Sequence, residues 1–69
     1  MTEVGNKYRH YKGQPYMVIA IAKHSETEED MVIYQDIEFP EKIWARPKGM
    51  FEETVEWEGN TVPRFAPIE

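Results

Sequence analysis

The chain has no cysteine, so no disulfide framework and no thiolate zinc site can hold it together. It has no excess of positive charge: 8 Lys and Arg face 13 Asp and Glu, a net −5 with neutral histidines. That balance opposes non-specific nucleic-acid binding, which depends on neutralising phosphates, and opposes adsorption to anionic membranes. No long apolar run is present. The longest, Tyr16 to Ala22, falls far short of the ~20 residues that span a bilayer. The first residues, Met-Thr-Glu-Val-Gly-Asn-Lys, show no apolar stretch behind a basic leader, and a small domain without cysteine suits a reducing cytosol. Repeats, Gly/Ser linkers and low-complexity tracts are also lacking.

What remains is 69 residues, 41% hydrophobic and 13% aromatic, enough for one thin packed core. A deep catalytic cavity does not fit that length. Residues 7–66 are expected to form the single domain, between a flexible N-terminal segment, 1–6, and a C-terminal tail, 67–69.

Short apolar runs between turn residues predict strands rather than helices. The expected strands are Tyr8–Tyr11, Tyr16–Lys23, Met31–Tyr34, Ile43–Arg46, Thr54–Trp57 and Val62–Phe65. Lys12-Gly13-Gln14-Pro15 reads as a tight connection. Tyr16–Lys23 is apolar on both alternating faces, with Tyr16, Val18, Ala20 and Ala22 opposite Met17, Ile19 and Ile21. Such a strand is expected at the centre of a coiled sheet, covered on both sides. His24 to Asp30 reads as a polar hairpin loop: Ser25 and Glu28 match a capping box, yet no helical run follows. Asp36 to Lys42 is a second loop. Lys48 to Glu53 suits one helical turn with Met50 and Phe51 plugging one end. Val55 and Trp57 are expected inward, and Glu58-Gly59-Asn60 reads as a tight turn, since Gly59 and Asn60 both tolerate positive φ. Pro63 confines the last strand to an edge. Five or six short antiparallel strands in so little chain imply an all-β, SH3-like small barrel.

Several constellations bear on function. His24-Ser25-Glu26 supplies the residue types of a hydrolytic site, and His24 with Glu26 is the core of an alternative reading as a small metal-dependent hydrolase. Adjacent residues of an extended chain point opposite ways, and no nucleophile elbow or H-x-x-x-H spacing accompanies them. The ordinary reading is therefore a loop whose side chains serve its own backbone. Trp44 and Arg46 share one face of their strand; either Trp44 fills the core with Arg46 beside it, or both form an exposed recognition patch. Tyr8 and His10 share one face of the first strand, and Arg9 and Tyr11 the other. Arg9, Arg46 and Arg64 could clasp a carboxylate or phosphate, and their clustering would run against the overall charge. The acidic run Glu26, Glu28, Glu29 and Asp30 reads as a solvated loop, without the ligand spacing of an EF-hand.

Tyr8-Arg9-His10-Tyr11-Lys12-Gly13, His24-Ser25-Glu26-Thr27, Trp44-Ala45-Arg46-Pro47 with Met50-Phe51-Glu52, and Val62-Pro63-Arg64-Phe65 follow one another in that order. In this combination, over about Tyr8 to Phe65, the chain resembles the bacterial family called domain of unknown function 1653, with Ala45 standing where that pattern has valine. The resemblance implies a small stand-alone bacterial cytoplasmic protein and brings no activity, cofactor or catalytic residue.

The expectation is thus a non-enzymatic binding module without cofactor or metal. Arg9, His10, His24, Ser25, Glu26, Trp44, Arg46 and Arg64 would converge on one rim to take a small anionic ligand or a protein partner. Nucleic acid and membrane are not expected as partners. A homodimer through an apolar face of the second or third strand is a further possibility.

Overall fold

A computed structural model describes residues 2–68; Met1 and Glu69, the outer ends of the two expected terminal segments, lie outside the described residues. The strands are β1 (Lys7–His10), β2 (Pro15–Lys23), β3 (Asp30–Asp36), β4 (Ile43–Pro47), β5 (Thr54–Trp57), β6 (Asn60–Pro63) and β7 (Phe65–Ile68). One short helix, α1 (Lys48–Glu52), follows β4 directly. Five strands form an antiparallel sheet in the order β4-β3-β2-β1-β7, and β5 pairs with β6 in a separate hairpin. The fold is all-β and SH3-like: a meander of β1 to β4, with the later strand β7 returning to pair with β1. Among the described residues no ladder joins β4 to β7.

β2 is the central strand, as its two apolar faces require, but its alternation does not run straight through. Val18 pairs with Tyr34 and Ile21 with Val32, with a register shift between Val18 and Ala20. One extra residue in a bulge reverses the faces beyond it. Ile21 therefore joins the side of Tyr16 and Val18, whereas Ala20 and Ala22 turn to the other. That other face is only partly covered: Met17, Ile19, Met31 and Ile33 are half-buried.

The core lies on the opposite, inner face, where Tyr8, Val18, Val32, Tyr34, Phe51 and Phe65 are buried with Tyr16 packed against them. Aromatics carry it because few residues must fill the space, and each buried ring removes much apolar area from water. Phe51 does plug the core at 2% exposure, but Met50 stands outside. A five-residue helix has only one face toward the sheet, and Phe51 takes it.

Three further expectations are corrected. The last expected strand, Val62–Phe65, is two strands. Pro63 ends β6, Arg64 turns the chain, and Phe65 begins a strand on the far side of β1. Trp57 is 41% exposed, because β5 and β6 stand apart as a two-stranded ribbon with little to cover them. Their two-residue turn puts positive φ on Glu58 (52°) and Gly59 (81°), not on Asn60, which already pairs with Trp57. Both central residues with φ > 0 are what a hairpin of right-handed twist demands.

Described residues of both terminal segments bond to the sheet. Gly5 N–H donates to the Val18 carbonyl at 2.8 Å, Val18 N–H to the Asn6 carbonyl at 3.0 Å, and Thr2 Oγ1 to Glu52 Oε2 at 2.7 Å. β7 runs on to Ile68, through residues 67 and 68 of the expected tail, opposite Lys7 and Tyr8.

Candidate functional site

Residues paired across an antiparallel ladder point to the same face, so register alone places the candidates. His10 pairs with Phe65, Tyr8 with Tyr16, Trp44 with Tyr34, and Arg46 with Val32. All of these lie on the inner face, together with the core. Arg46 and His10 come from strands three places apart in the sheet, yet both reach the same ring. The Arg46 guanidinium carbon is 6.0 Å from the Phe65 centroid, and the His10 ring packs edge-on to Phe65 at 5.1 Å. Tyr16 and Tyr34, T-shaped at 5.2 Å, complete an aromatic wall around them.

The charge here is positive in an acidic chain. Burial lowers the His10 pKa from its ordinary 6.5, and the cations of Arg46, Arg64 and Lys12 lower it further, in that order. His10 Nδ1 accepts the Lys12 amide at 3.2 Å, which leaves the proton of the neutral imidazole on Nε2 as a donor. Burial raises the Tyr16 pKa, the negative Asp36 and the Tyr34 phenol raise it further, and Arg46 offsets part of that.

The two arginines differ in what holds them. Arg64 Nη2 donates to Glu53 Oε1, and its buried Nε has no hydrogen-bond partner among the described residues. Arg46 Nε donates only to the Tyr34 hydroxyl, at 3.4 Å, and no carboxylate pairs with it among the described residues. Trp44, two residues before it on the same face, is 49% exposed. Neither reading of Trp44 holds whole: it faces the core side without filling the core, and Ile43 and Ala45, which would have replaced it there, are exposed too. β4 is the sheet's outermost strand, so its inward-facing side chains overhang the core instead of entering it.

The other candidates lie elsewhere. Arg9 alternates with His10 onto the opposite face, donates from Nη1 to the Gly13 carbonyl at 2.8 Å, and lines a cleft of about 340 Å³ with His10, Tyr11, Trp57 and Val62, which Arg46 and Arg64 do not line. His24 turns back on its own loop: Nδ1 accepts the amides of Glu26 (3.1 Å) and Thr27 (3.4 Å). Ser25 and Glu26 are exposed on the same turn. His24, Ser25 and Glu26 thus sit at the β2–β3 tip, outside the His10–Arg46–Arg64 group. No three His, Asp or Glu side chains gather to hold a metal among the described residues, so the hydrolase alternative gains no support from this geometry.

Asp36 was read only as the start of a loop. It is buried, and its carboxylate accepts Gln14 Nε2 (2.7 Å) and the amides of Glu38 (2.8 Å) and Phe39 (3.1 Å). Tyr16, Tyr34 and Phe65 were likewise read as strand residues alone. No local signal marked them, because strand pairing alone brings Tyr16 opposite Tyr8 and Asp36, Tyr34 opposite Val18 and Trp44, and Phe65 opposite His10.

The fold and this inner face define a small SH3-like β domain with a cationic, aromatic-walled surface. The chain belongs to the family described as protein of unknown function (DUF1653), whose model matches residues 6–67. A crystal structure of a DUF1653 protein from Bordetella bronchiseptica is 32% identical and superposes with a TM-score of 0.82, covering 97% of this chain and 87% of that one. Comparison with curated proteins gives no match.

Proposed function

We propose that this domain is a bacterial, cytoplasmic binding module whose inner face takes a small carboxylate- or phosphate-bearing ligand. The observation that carries this reading is the Arg46 guanidinium, without a carboxylate partner among the described residues, beside His10 and Arg64 in a chain of net charge −5. A guanidinium offers a planar fork of donors that matches an oxyanion, and partial burial strengthens each charge-assisted bond. Arg64 adds a second cation, half-committed to Glu53, and His10 Nε2–H adds a neutral donor. Trp44, Tyr16 and Tyr34 offer an apolar wall for the rest of the ligand.

Titration with sodium sulfate and with sodium succinate, followed by NMR of the His10 imidazole and the Arg46 guanidinium, tests this. Both groups are expected to shift saturably, and Arg46→Gln to weaken binding by about tenfold or more. Absence of any shift at His10, Arg46 and Arg64, or equal binding by Arg46→Gln, overturns the reading.

A further inference from the structure

β4 ends the five-stranded sheet and, among the described residues, has a strand neighbour only on its β3 side. The bond from the Asp36 amide to the Lys42 carbonyl, 3.0 Å, closes that hairpin and sets its alternation. In an antiparallel ladder every second residue spends both backbone groups on its partner. Trp44 and Arg46 are therefore bonded toward β3, while Ile43 and Ala45 turn their N–H and C=O groups outward. Pro47 also falls at an outward position, where its missing N–H costs no ladder bond, and it ends the strand.

Folded proteins usually blunt such an edge with a bulge, an inward charge, a covering element, brevity, or Lys and Pro on the edge. β4 carries an inward Arg46 and an edge Pro47, but both follow Ala45 and leave the Ile43 and Ala45 positions bare. Here the β3–β4 register is unbroken, and Ile43, Trp44 and Ala45 are all exposed. The charge is also distinctive. From Lys42 to Lys48 the sequence is Lys-Ile-Trp-Ala-Arg-Pro-Lys: three cations and no acid, in a chain where acids outnumber bases 13 to 8.

We infer that the β4 edge is a docking site for an extended, acidic peptide segment of a partner protein, which adds to the sheet as a further strand. Ile43 and Ala45 supply its main-chain hydrogen bonds, and its carboxylates meet Lys42, Arg46 and Lys48. Side chains two residues apart on the peptide would rest against half-exposed Trp44. A second copy of this chain is the poorer occupant. In an antiparallel β4–β4 pairing that sets Ile43 against Ala45, Lys42 faces Arg46, and like charges directly opposed are unfavourable. Arg46 also belongs to the anion site proposed above, but the edge rests on backbone groups that site does not use.

The test is NMR of the whole chain with three capped probes. They are the peptide Glu-Val-Thr-Val-Glu, its counterpart with lysine in place of both glutamates, and the glutamate peptide N-methylated at alternate residues in each of the two frames. With the glutamate peptide, the Ile43 and Ala45 amides should shift and exchange with solvent about tenfold or more slowly. The lysine probe should bind about tenfold or more weakly, and one N-methylated frame should not bind at all. Ala45→Pro removes only an outward N–H, so it should abolish binding while the β3–β4 pairing stays visible in the spectrum. Unchanged exchange at Ile43 and Ala45 overturns the inference, as does equal binding by the lysine probe or by both N-methylated frames. Concentration-dependent protection of those amides without peptide assigns the edge to a second copy instead. A glutamate probe that moves His10 and Arg64 but not the edge amides sinks this inference and leaves the anion site standing. Edge protection with no sulfate effect at His10 does the reverse.

Discussion

Phe51, on the one short helix, lies stacked on Phe65 of the last strand, with ring centroids 4.1 Å apart and planes 6° from parallel. Tyr8 and Tyr34 meet Phe51 edge-on, each at 5.4 Å, so a single side chain closes the helix onto three strands of the sheet. Phe51→Ala should cost about 3–5 kcal/mol, most of the stability of so small a domain, and Phe51→Leu clearly less. Urea denaturation followed by far-UV circular dichroism measures both; an Ala variant as stable as the parent would show that the helix does not hold the core.

The Asp36 carboxylate ties Gln14, on the β1–β2 turn, to the amides that begin the β3–β4 loop. Asp36→Ala leaves three part-buried donors without their acceptor and should destabilise by about 1–3 kcal/mol, with Asp36→Asn intermediate. The same denaturation midpoints check this. Faster amide exchange at Glu38 and Phe39 would localise the loss.

The pH dependence follows from His10. Its folded pKa lies below the ordinary 6.5 that the unfolded chain retains. Between those two values the unfolded chain binds more proton, so stability rises with pH there. The contribution is fully present above 6.5 and is lost as pH falls through the folded value. Urea midpoints measured from about pH 8 down to about pH 5 should decline over that interval, and His10→Gln should flatten the decline. Sulfate on the inner face should raise the His10 pKa, so its affinity should grow as the pH drops.

Glu58 holds φ at 52° in the β5–β6 turn, a region costly for a long side chain. Glu58→Asn should stabilise by about 0.5–1 kcal/mol, and Gly59→Ala at φ 81° should destabilise by a similar amount. Thermal melts of the two variants should move in opposite directions.

Trp44 overhangs the core without filling it. Trp44→Ala should therefore change stability by less than about 1 kcal/mol while weakening ligand or peptide binding. A large loss of stability would return Trp44 to the core.

The strand pattern was readable because alternation and turn residues are local. Gly13 at φ 108° closes the β1–β2 turn, and the β2, β3 and β4 runs all became strands. The face assignments on β2 were not readable beyond Val18. The bulge that reverses them satisfies the pairing with β3 and leaves no mark in β2's own residues. Trp44 was undecidable for a similar reason: a tryptophan facing inward is buried on a central strand and bare on an outer one, and strand order is not a local property.

By itself the sequence determined an all-β domain with a thin aromatic core, no thiol chemistry and a net negative charge, since these follow from composition and from the period of apolar residues. It also carried the family pattern from Tyr8 to Phe65. Only the tertiary structure decided which cations meet. His10, Arg46 and Arg64 are separated by 36 and 18 residues, and the return of β7 to β1 brings them around Phe65. His24 and Arg9, equally prominent in the sequence, are turned away by a loop and by one step of strand alternation. Non-local pairing sets which side chains share a surface, and no stretch of chain shorter than the sheet contains that information.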